Sequence, residues 1–233
     1  MLAVLLSALL AVPQAAATQE PAVEMTTYQM VLLRKGPSPA PSTPEAQQAM
    51  QDAHLAGLAN LNRKRVNLLY GPVLVETDLR GIAILDVPSA DEAKRLFADD
   101  PFVKAGVMVA EVRPWYGPKN WFNLPAGYDV TKPELLEPLI LGFLVRGPNA
   151  GQDKAEAAEI QKGHLAYMDS LHKQGSLLVA GPFGDTQPAR GLVIYRVKTV
   201  AEARMLAAED PAVKAGRLVL DAYPWMTFRG ILK

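Results

Sequence analysis

The chain has 233 residues, of which 49% are hydrophobic, with 24 basic and 24 acidic side chains and a formal net charge of zero. This composition is typical of a globular protein with one large or two small domains, and the even charge gives no basic field for nucleic acid. There is no cysteine, which excludes disulfides, thiolate nucleophiles, cysteine-ligated metals and a lipoprotein anchor.

The N-terminus is apolar from Met1 to Val12, is broken by Pro13, and continues into an A-x-A pattern at residues 15–17. We interpret residues 1–17 as a secretory signal peptide, too short to span a bilayer, and expect a periplasmic or secreted protein without stable membrane insertion after cleavage. No Lys or Arg precedes the apolar run. The alternatives are that the assigned start codon lies downstream of the true one, or that the segment is a weak signal or an anchor. A further alternative is an apolar tail on a cytoplasmic protein.

The first half of the chain predicts six elements in the order β-α-β-β-α-β. Thr43-Pro44 and Ser89 with Glu92 mark the two helix starts. The predicted elements are a strand at 28–34, a helix at 45–66, strands at 67–73 and 81–87, a helix from 89 to about 98 and a strand at 107–113.

The second half repeats this order. The predicted elements are a strand at 139–145, a helix at 153–174, strands at 176–180 and 192–197, a helix at 200–208 and a strand at 217–222. We therefore expect a first module at 26–116, a linker at 117–138 and a second module at 139–228.

The two halves align without a gap at a constant offset of 110 residues between residues 54–115 and 164–225. A repeat of this length indicates duplicated structural units. The matching features are His54 with His164, Gly71-Pro72 with Gly181-Pro182, the D-P-x-V-K-A-G segments at 100–106 and 210–216, and Pro-Trp at 114–115 and 224–225.

The element order predicts an α+β fold of two ferredoxin-like modules, each a four-stranded antiparallel sheet with two helices on one face. The other, apolar face needs a cover. We expect the modules to pack sheet to sheet as a tandem, pseudo-dimeric α+β barrel. Closure between two chains and further homo-oligomerisation remain open.

In these motifs and their order, the chain resembles the YCII-related domain, a family of dimeric α+β barrels. The resemblance implies a His/Asp pair, which falls on His54 with Asp100 and on His164 with Asp210. It also implies chemistry on small molecules: one branch is linked to dehydrochlorination of hydroxylated aromatics, and relatives on this fold include lactone isomerases. Some relatives on the fold bind haem through one histidine.

A neutral imidazole is the most usable proton acceptor at neutral pH, and a carboxylate on its other nitrogen fixes the tautomer. Two other interpretations of these residues stay open. Asp before Pro is also a helix cap, and a buried histidine is often structural. His172, which aligns with Asn62, is expected to be solvated near a helix end.

Three further residues are candidate ligand contacts. Arg80 and Arg190 precede equivalent strands and could bind an anionic group, or form surface ion pairs. Asp185 occurs only in the second copy, where Val75 stands in the first, so the first site is the more doubtful. One His and one Asp per module fall short of a catalytic zinc site. We expect no metal and no cofactor, with haem as a remote option.

These observations predict a cofactor-free proton-transfer enzyme, a lyase, dehydrohalogenase or isomerase, acting on a small cyclic or aromatic molecule. His164 would be the base, Asp210 its orienting partner, and His54 with Asp100 a second, degenerate or active pair. The alternative is a non-catalytic module that binds a small molecule or a partner. A scaffold without a ligand comes third.

Overall fold

Two antiparallel sheets form the framework of the protein in the computed structural model, which describes residues 24–125 and 128–232. The predicted signal peptide lies outside these residues. The first module contains β1 (Met25–Lys35), α1 (Pro44–Arg63), β2 (Asn67–Pro72), β3 (Leu79–Leu85), α2 (Ala90–Ala98), α3 (Pro101–Lys104) and β4 (Met108–Pro118).

The second module repeats the first after a single 3₁₀ turn at Pro133–Leu135. It contains β5 (Leu136–Arg146), α4 (Lys154–Lys173), β6 (Leu177–Pro182), β7 (Ala189–Tyr195), α5 (Val200–Ala208), α6 (Pro211–Lys214) and β8 (Leu218–Phe228). The strand orders are β2-β3-β1-β4 and β6-β7-β5-β8, with every pairing antiparallel. The predicted α+β class and ferredoxin-like modules are confirmed.

The helices begin where capping residues stand. Thr43 Oγ1 accepts a hydrogen bond from the Ala46 amide, and Ser89 Oγ accepts one from the Glu92 amide. The D-P-x-V-K-A-G segments form one-turn helices of their own, at the position where Asp before Pro is typical of a helix cap. Each begins at an aspartate cap and ends at a glycine with positive φ, +70° at Gly106 and +69° at Gly216, a conformation that glycine adopts without strain.

The central strands are longer than predicted. β1 and β4 pair over eleven residues each, from Met25 opposite Pro118 to Lys35 opposite Met108. β5 and β8 do the same in the second module. Since β4 extends to Pro118 and β5 begins at Leu136, the irregular connection is shorter than the predicted linker.

The barrel closes within one chain. Val73 forms a β-bridge with Trp225, and Trp115 forms one with Phe183. Trp115 Nε1 donates to the Gly181 carbonyl at 3.0 Å and Trp225 Nε1 to the Gly71 carbonyl at 2.8 Å. The Gly-Pro and Pro-Trp repeats therefore meet each other across the two modules.

The main hydrophobic core spans both modules, since it joins β1, β2 and β3 to β5, β6 and β7 and includes both fully buried tryptophans, Trp115 and Trp225. A smaller cluster lies in the second module alone, under α4 and α5. Within residues 24–125 and 128–232, no helix is long and apolar enough to cross a bilayer.

Candidate functional site

The two predicted His/Asp pairs are each brought into contact by the packing of a long helix against a one-turn helix. His54 on α1 lies beside the start of α3, and His164 on α4 lies beside the start of α6. The Nδ1 atom of His54 is 2.5 Å from Asp100 Oδ2, and that of His164 is 2.7 Å from Asp210 Oδ2. Both pairs are within hydrogen-bonding distance.

Each aspartate performs two tasks with its two oxygens. Asp210 Oδ1 accepts from the Ala212 amide, and Asp100 Oδ1 accepts from the Phe102 and Val103 amides. The remaining oxygen faces the imidazole. The capping role and the histidine contact are compatible interpretations of the sequence, and the structure contains both.

The geometry favours one tautomer of each neutral imidazole. All four side chains are at most 11% exposed, so each carboxylate is oriented by hydrogen bonds in a largely dry setting. A carboxylate accepts only, so Nδ1 of each neutral ring carries the hydrogen and Nε2 carries the lone pair. Within the described residues, neither Nε2 atom has a hydrogen-bond partner.

Each histidine lines a cavity between its helix and sheet. The first cavity, beside His54, has a volume of about 600 Å³, and the second cavity, beside His164, has about 590 Å³. Each cavity is lined in part by the other module. Met226 and Phe228 line the first cavity, while Met25, Pro118 and Trp121 line the second. Both sites therefore depend on the assembled barrel.

Arg80 lines the first cavity and Arg190 the second. Arg80 donates to Glu76 at 3.1 Å, a solvent-exposed carboxylate. Arg190 makes no hydrogen bond or ion pair within the described residues. Its positive charge interacts at longer range with the carboxylate of Asp185. The two predicted arginines thus reach equivalent places with different neighbours.

Asp185 lies outside the lining of both cavities. It accepts from Arg113 Nε at 2.8 Å and from Arg113 Nη2 at 2.6 Å, across the boundary between the modules. Arg113 also donates to the Ala189 carbonyl and lies over the Phe183 ring. The Arg113 guanidinium holds the pKa of Asp185 below its usual range. Asp185 therefore takes part in a contact between the two modules.

His172 differs from the expectation of a solvated residue. Its Nδ1 donates to the Leu177 carbonyl at 3.0 Å, and its ring stacks on Trp121 with centroids 4.6 Å apart. The aligned Asn62 donates from Nδ2 to the Asn67 carbonyl at 2.8 Å. The signal in the sequence was that His172 and Asn62, two hydrogen-bond donors with side chains of similar length, occupy the same aligned position.

Two cavity-lining arginines were missed. Arg146 and Arg217 line the second cavity, and the residues that align with them, Lys35 and Val107, do not line the first. The difference between the copies was the available signal, although only the structure shows which differences face a cavity.

The surroundings of the two imidazoles also differ. The Phe102 ring meets the His54 ring edge to face at 5.2 Å. Its counterpart Ala212 has no ring to contact His164 and lines the second cavity. Burial raises the pKa of Tyr70, which lines the first cavity, so this phenol stays neutral at physiological pH. Among the described residues, no group of three His, Asp or Glu side chains could hold a metal.

Eight strands closed by two modules, with a histidine in a cavity of each, define a tandem α+β barrel of the dimeric α+β barrel class. The chain belongs to the YCII-related domain family, whose model matches residues 27–116 and 143–226. No curated protein matches the sequence significantly.

Other solved structures share the fold, and two of them superpose over most of this chain. A haem-binding protein from Thermus thermophilus superposes with a TM-score of 0.53 at 13% identity, over 88% of this chain and 92% of its own. A chlorite dismutase-like protein superposes with a TM-score of 0.54 at 9% identity, over 88% and 94%. At these identities the likeness concerns the fold alone.

Proposed function

We propose that the protein is a proton-transfer enzyme acting on a small cyclic or aromatic molecule, with His164 as the base and Asp210 as its orienting partner. His54 and Asp100 form the second such pair. The observation that carries the proposal is an imidazole in a cavity lining whose Nδ1 contacts a buried carboxylate and whose Nε2 has no hydrogen-bond partner within the described residues, in both modules.

The reaction begins when Nε2 takes a proton from a C–H next to a carbonyl or from a phenol O–H. The positive charge that forms on the ring is stabilised by Asp210, which keeps its hydrogen bond to Nδ1. The electron pair left on the ligand either forms a double bond as a leaving group departs, or moves along a conjugated system. In the second case Nε2 returns the proton to another atom, which gives an isomerisation.

The cavity walls favour this chemistry because they are largely apolar, with Leu144, Met168 and Leu192 in the second. A water-poor site strengthens the imidazolium–carboxylate interaction. Arg190, and Arg80 in the first cavity, supply positive charge for an anionic group of the ligand. The absence of an aromatic ring at Ala212, where Phe102 contacts the His54 ring in the first module, supports His164 as the more active base.

The proposal is tested by hydrogen exchange of small cyclic ketones, lactones and chlorinated phenols in D₂O, followed by NMR. The wild-type protein is expected to catalyse exchange or elimination with at least one compound, and His164→Ala to lower kcat by about 10²- to 10⁴-fold. His54→Ala measures the share of the first cavity. His172→Asn keeps the bond to the Leu177 carbonyl and is expected to change KM rather than kcat. Full activity in His164→Ala would overturn the proposal.

The alternative is a binding module that uses the same cavities without turnover. The free space beside each histidine favours ligand binding without turnover as much as it favours catalysis. In that case compounds bind, the aspartate variants change affinity only, and no exchange occurs. The haem-binding neighbour suggests one specific ligand, since an imidazole backed by a carboxylate suits an axial haem ligand. A haem titration that gives a Soret shift in wild type and loses it in His164→Ala identifies that case.

We also propose export, based on the apolar segment and A-x-A pattern at residues 1–17. Cell fractionation and the intact mass of the mature protein test it. Recovery of the uncleaved chain in the cytoplasmic fraction would contradict it.

A further inference from the structure

We propose that the two cavities have different ligand specificities, and that the second cavity selects a planar aromatic anion through Arg190 and Arg217. The inference rests on the proposed function only in placing the reactive part of the ligand against His164. It is drawn from the differences between two copies of one module.

Charge is the first difference. The second cavity is lined by Arg146, Arg190 and Arg217 with a single carboxylate, Asp169. Asp169 is itself paired with Lys173 at 3.0 Å, and Asp185, whose charge interacts with that of Arg190, is paired with Arg113. Within the described residues, neither carboxylate forms an ion pair with an arginine of this cavity. A cavity with three guanidinium groups on its wall favours a ligand that brings negative charge.

These arginines are available to a ligand. Arg217 is half-buried, and its Nη1 donates to Gln152 Oε1 at 2.7 Å, a neutral partner that holds the side chain but leaves its charge. Arg190 is half-buried and makes no hydrogen bond or ion pair within the described part of the chain. A guanidinium group at a partly desolvated wall binds a carboxylate through two parallel hydrogen bonds.

The first cavity is nearly balanced by comparison. Its lining includes Arg80, which is paired with Glu76, and the exposed Lys132 together with the carboxylate of Asp52. Its wall also carries the neutral phenol of Tyr70, where Ala180 stands in the second cavity. This cavity therefore favours an anionic ligand less than the second cavity does.

Shape is the second difference. Trp121 and His172 form a stacked pair with ring planes 20° apart, and both line the second cavity. Their aligned residues, Ile231 and Asn62, do not line the first cavity. Aromatic faces in a cavity wall bind flat rings by stacking, so the anion is expected to be carried by a planar ring.

The test compares 4-hydroxybenzoate with 4-hydroxybenzamide, two probes of the same shape that differ in charge, by isothermal titration calorimetry of the full chain. The wild-type protein is expected to bind the carboxylate about tenfold or more tightly than the amide, as charge-assisted hydrogen bonds predict.

Arg190→Gln and Arg217→Gln are each expected to remove most of this preference, and Arg190→Lys to retain more of it. Arg196→Gln, an arginine of the second module outside both cavities, is expected to retain it fully. Since Arg190 makes no hydrogen bond within the described residues, its replacement leaves the fold intact, which circular dichroism checks.

Equal affinity for the two probes, survival of the preference in both glutamine variants, or no binding of 4-hydroxybenzoate at millimolar concentration would overturn this inference. The readout needs no turnover. A charge preference that persists in a protein without proton-transfer activity would contradict the proposed function and leave the specificity in place. Turnover confined to neutral compounds would support the proposed function and contradict the preference for an anion.

Discussion

At the scale of single residues, the dual role of Asp210 decides how the site is best probed. One oxygen caps α6 and the other orients His164. A substitution that removes both oxygens would mix a loss of helix capping with a loss of chemistry. Asparagine separates them, because Asn caps a helix about as well as Asp.

We predict that Asp210→Asn lowers kcat by about 10³- to 10⁴-fold, because an amide NH₂ facing Nδ1 forces the hydrogen onto Nε2 and removes the base. Stability is expected to fall by only about 1–2 kcal/mol, the value of a charge-assisted hydrogen bond replaced by a neutral one. Steady-state kinetics and urea unfolding measure the two effects. Asp100→Asn is the matched variant in the first module, and retention of activity within a few-fold in Asp210→Asn would refute the dyad.

The ion pair between Arg113 and Asp185 provides a second prediction at this scale. Arg113 is 5% exposed in its side chain, and its hydrogen bonds lower the pKa of Asp185 in the folded protein. An unfolded aspartate titrates near pH 4. The stabilisation is therefore present above about pH 4 and is lost as the pH falls through the lower pKa of the folded state.

Asp185→Asn is expected to reduce the free energy of unfolding at neutral pH by about 1.5–3 kcal/mol and to flatten its decline in acid. Melting temperatures between about pH 2 and pH 7 measure this. The control is the same substitution in an Arg113→Met background, where the acid-dependent difference should vanish if Arg113 is its cause. An unchanged acid limb in Asp185→Asn would show that the pair contributes no linkage.

At the scale of elements, the repeated Gly-Pro segments explain how the modules join. A Cβ atom on Gly71 would lie 1.8 Å from the Met226 carbonyl oxygen, and one on Gly181 would lie 2.2 Å from that of Tyr116. Only a residue without a side chain lets β2 approach β8, and β6 approach β4, closely enough for the tryptophan hydrogen bonds.

We predict that Gly71→Ala destabilises the protein by about 3 kcal/mol or more, since the clash is with backbone and not with a movable side chain. Gly57→Ala is the matched control. Gly57 lies within α1 with open space around its Cα, so alanine should stabilise by up to about 1 kcal/mol. Chemical denaturation measures both, and equal effects would show that the close approach of the strands is not required.

The sequence predicted the four longer helices and the order of the elements along the chain from local signals, and the His/Asp pairs from the repeat and the resemblance to the YCII-related domain. Capping residues and strand periodicity are visible within a few positions of one another, whereas the two members of each His/Asp pair are 46 residues apart. The ends of β1 and β4, the Arg113–Asp185 pair and the Trp121–His172 stack were not predicted. Each depends on register or on contacts between modules, for which one sequence carries no local signal.

At the scale of the whole molecule, duplication within one chain has allowed the two cavities to differ. In a dimer of identical modules every change occurs twice. Here Ala212 stands in place of Phe102, and Arg217 in place of Val107, at aligned positions. The barrel remains symmetric where the modules join, through paired tryptophans and glycines, and becomes asymmetric where the cavities are lined.

The same architecture predicts that the two modules unfold as one unit. The main core takes residues from both sheets, and β5 contributes Leu141 to this core and Ile140 to the smaller cluster of the second module. The smaller cluster cannot persist when β5 leaves the barrel. Neither module has an independent core of its own on the sheet face that it shares with the other.

We therefore expect a single transition in which far-UV circular dichroism and tryptophan fluorescence coincide. Leu69→Ala in the first module and Leu141→Ala in the second, both fully buried, should each shift the entire transition by about 2–5 kcal/mol. Two separate transitions, or a shift confined to one of them, would mean that the modules fold independently. Each cavity is lined in part by residues of the opposite module. Independent unfolding would therefore also open the sites, and ligand binding would then stabilise only part of the transition.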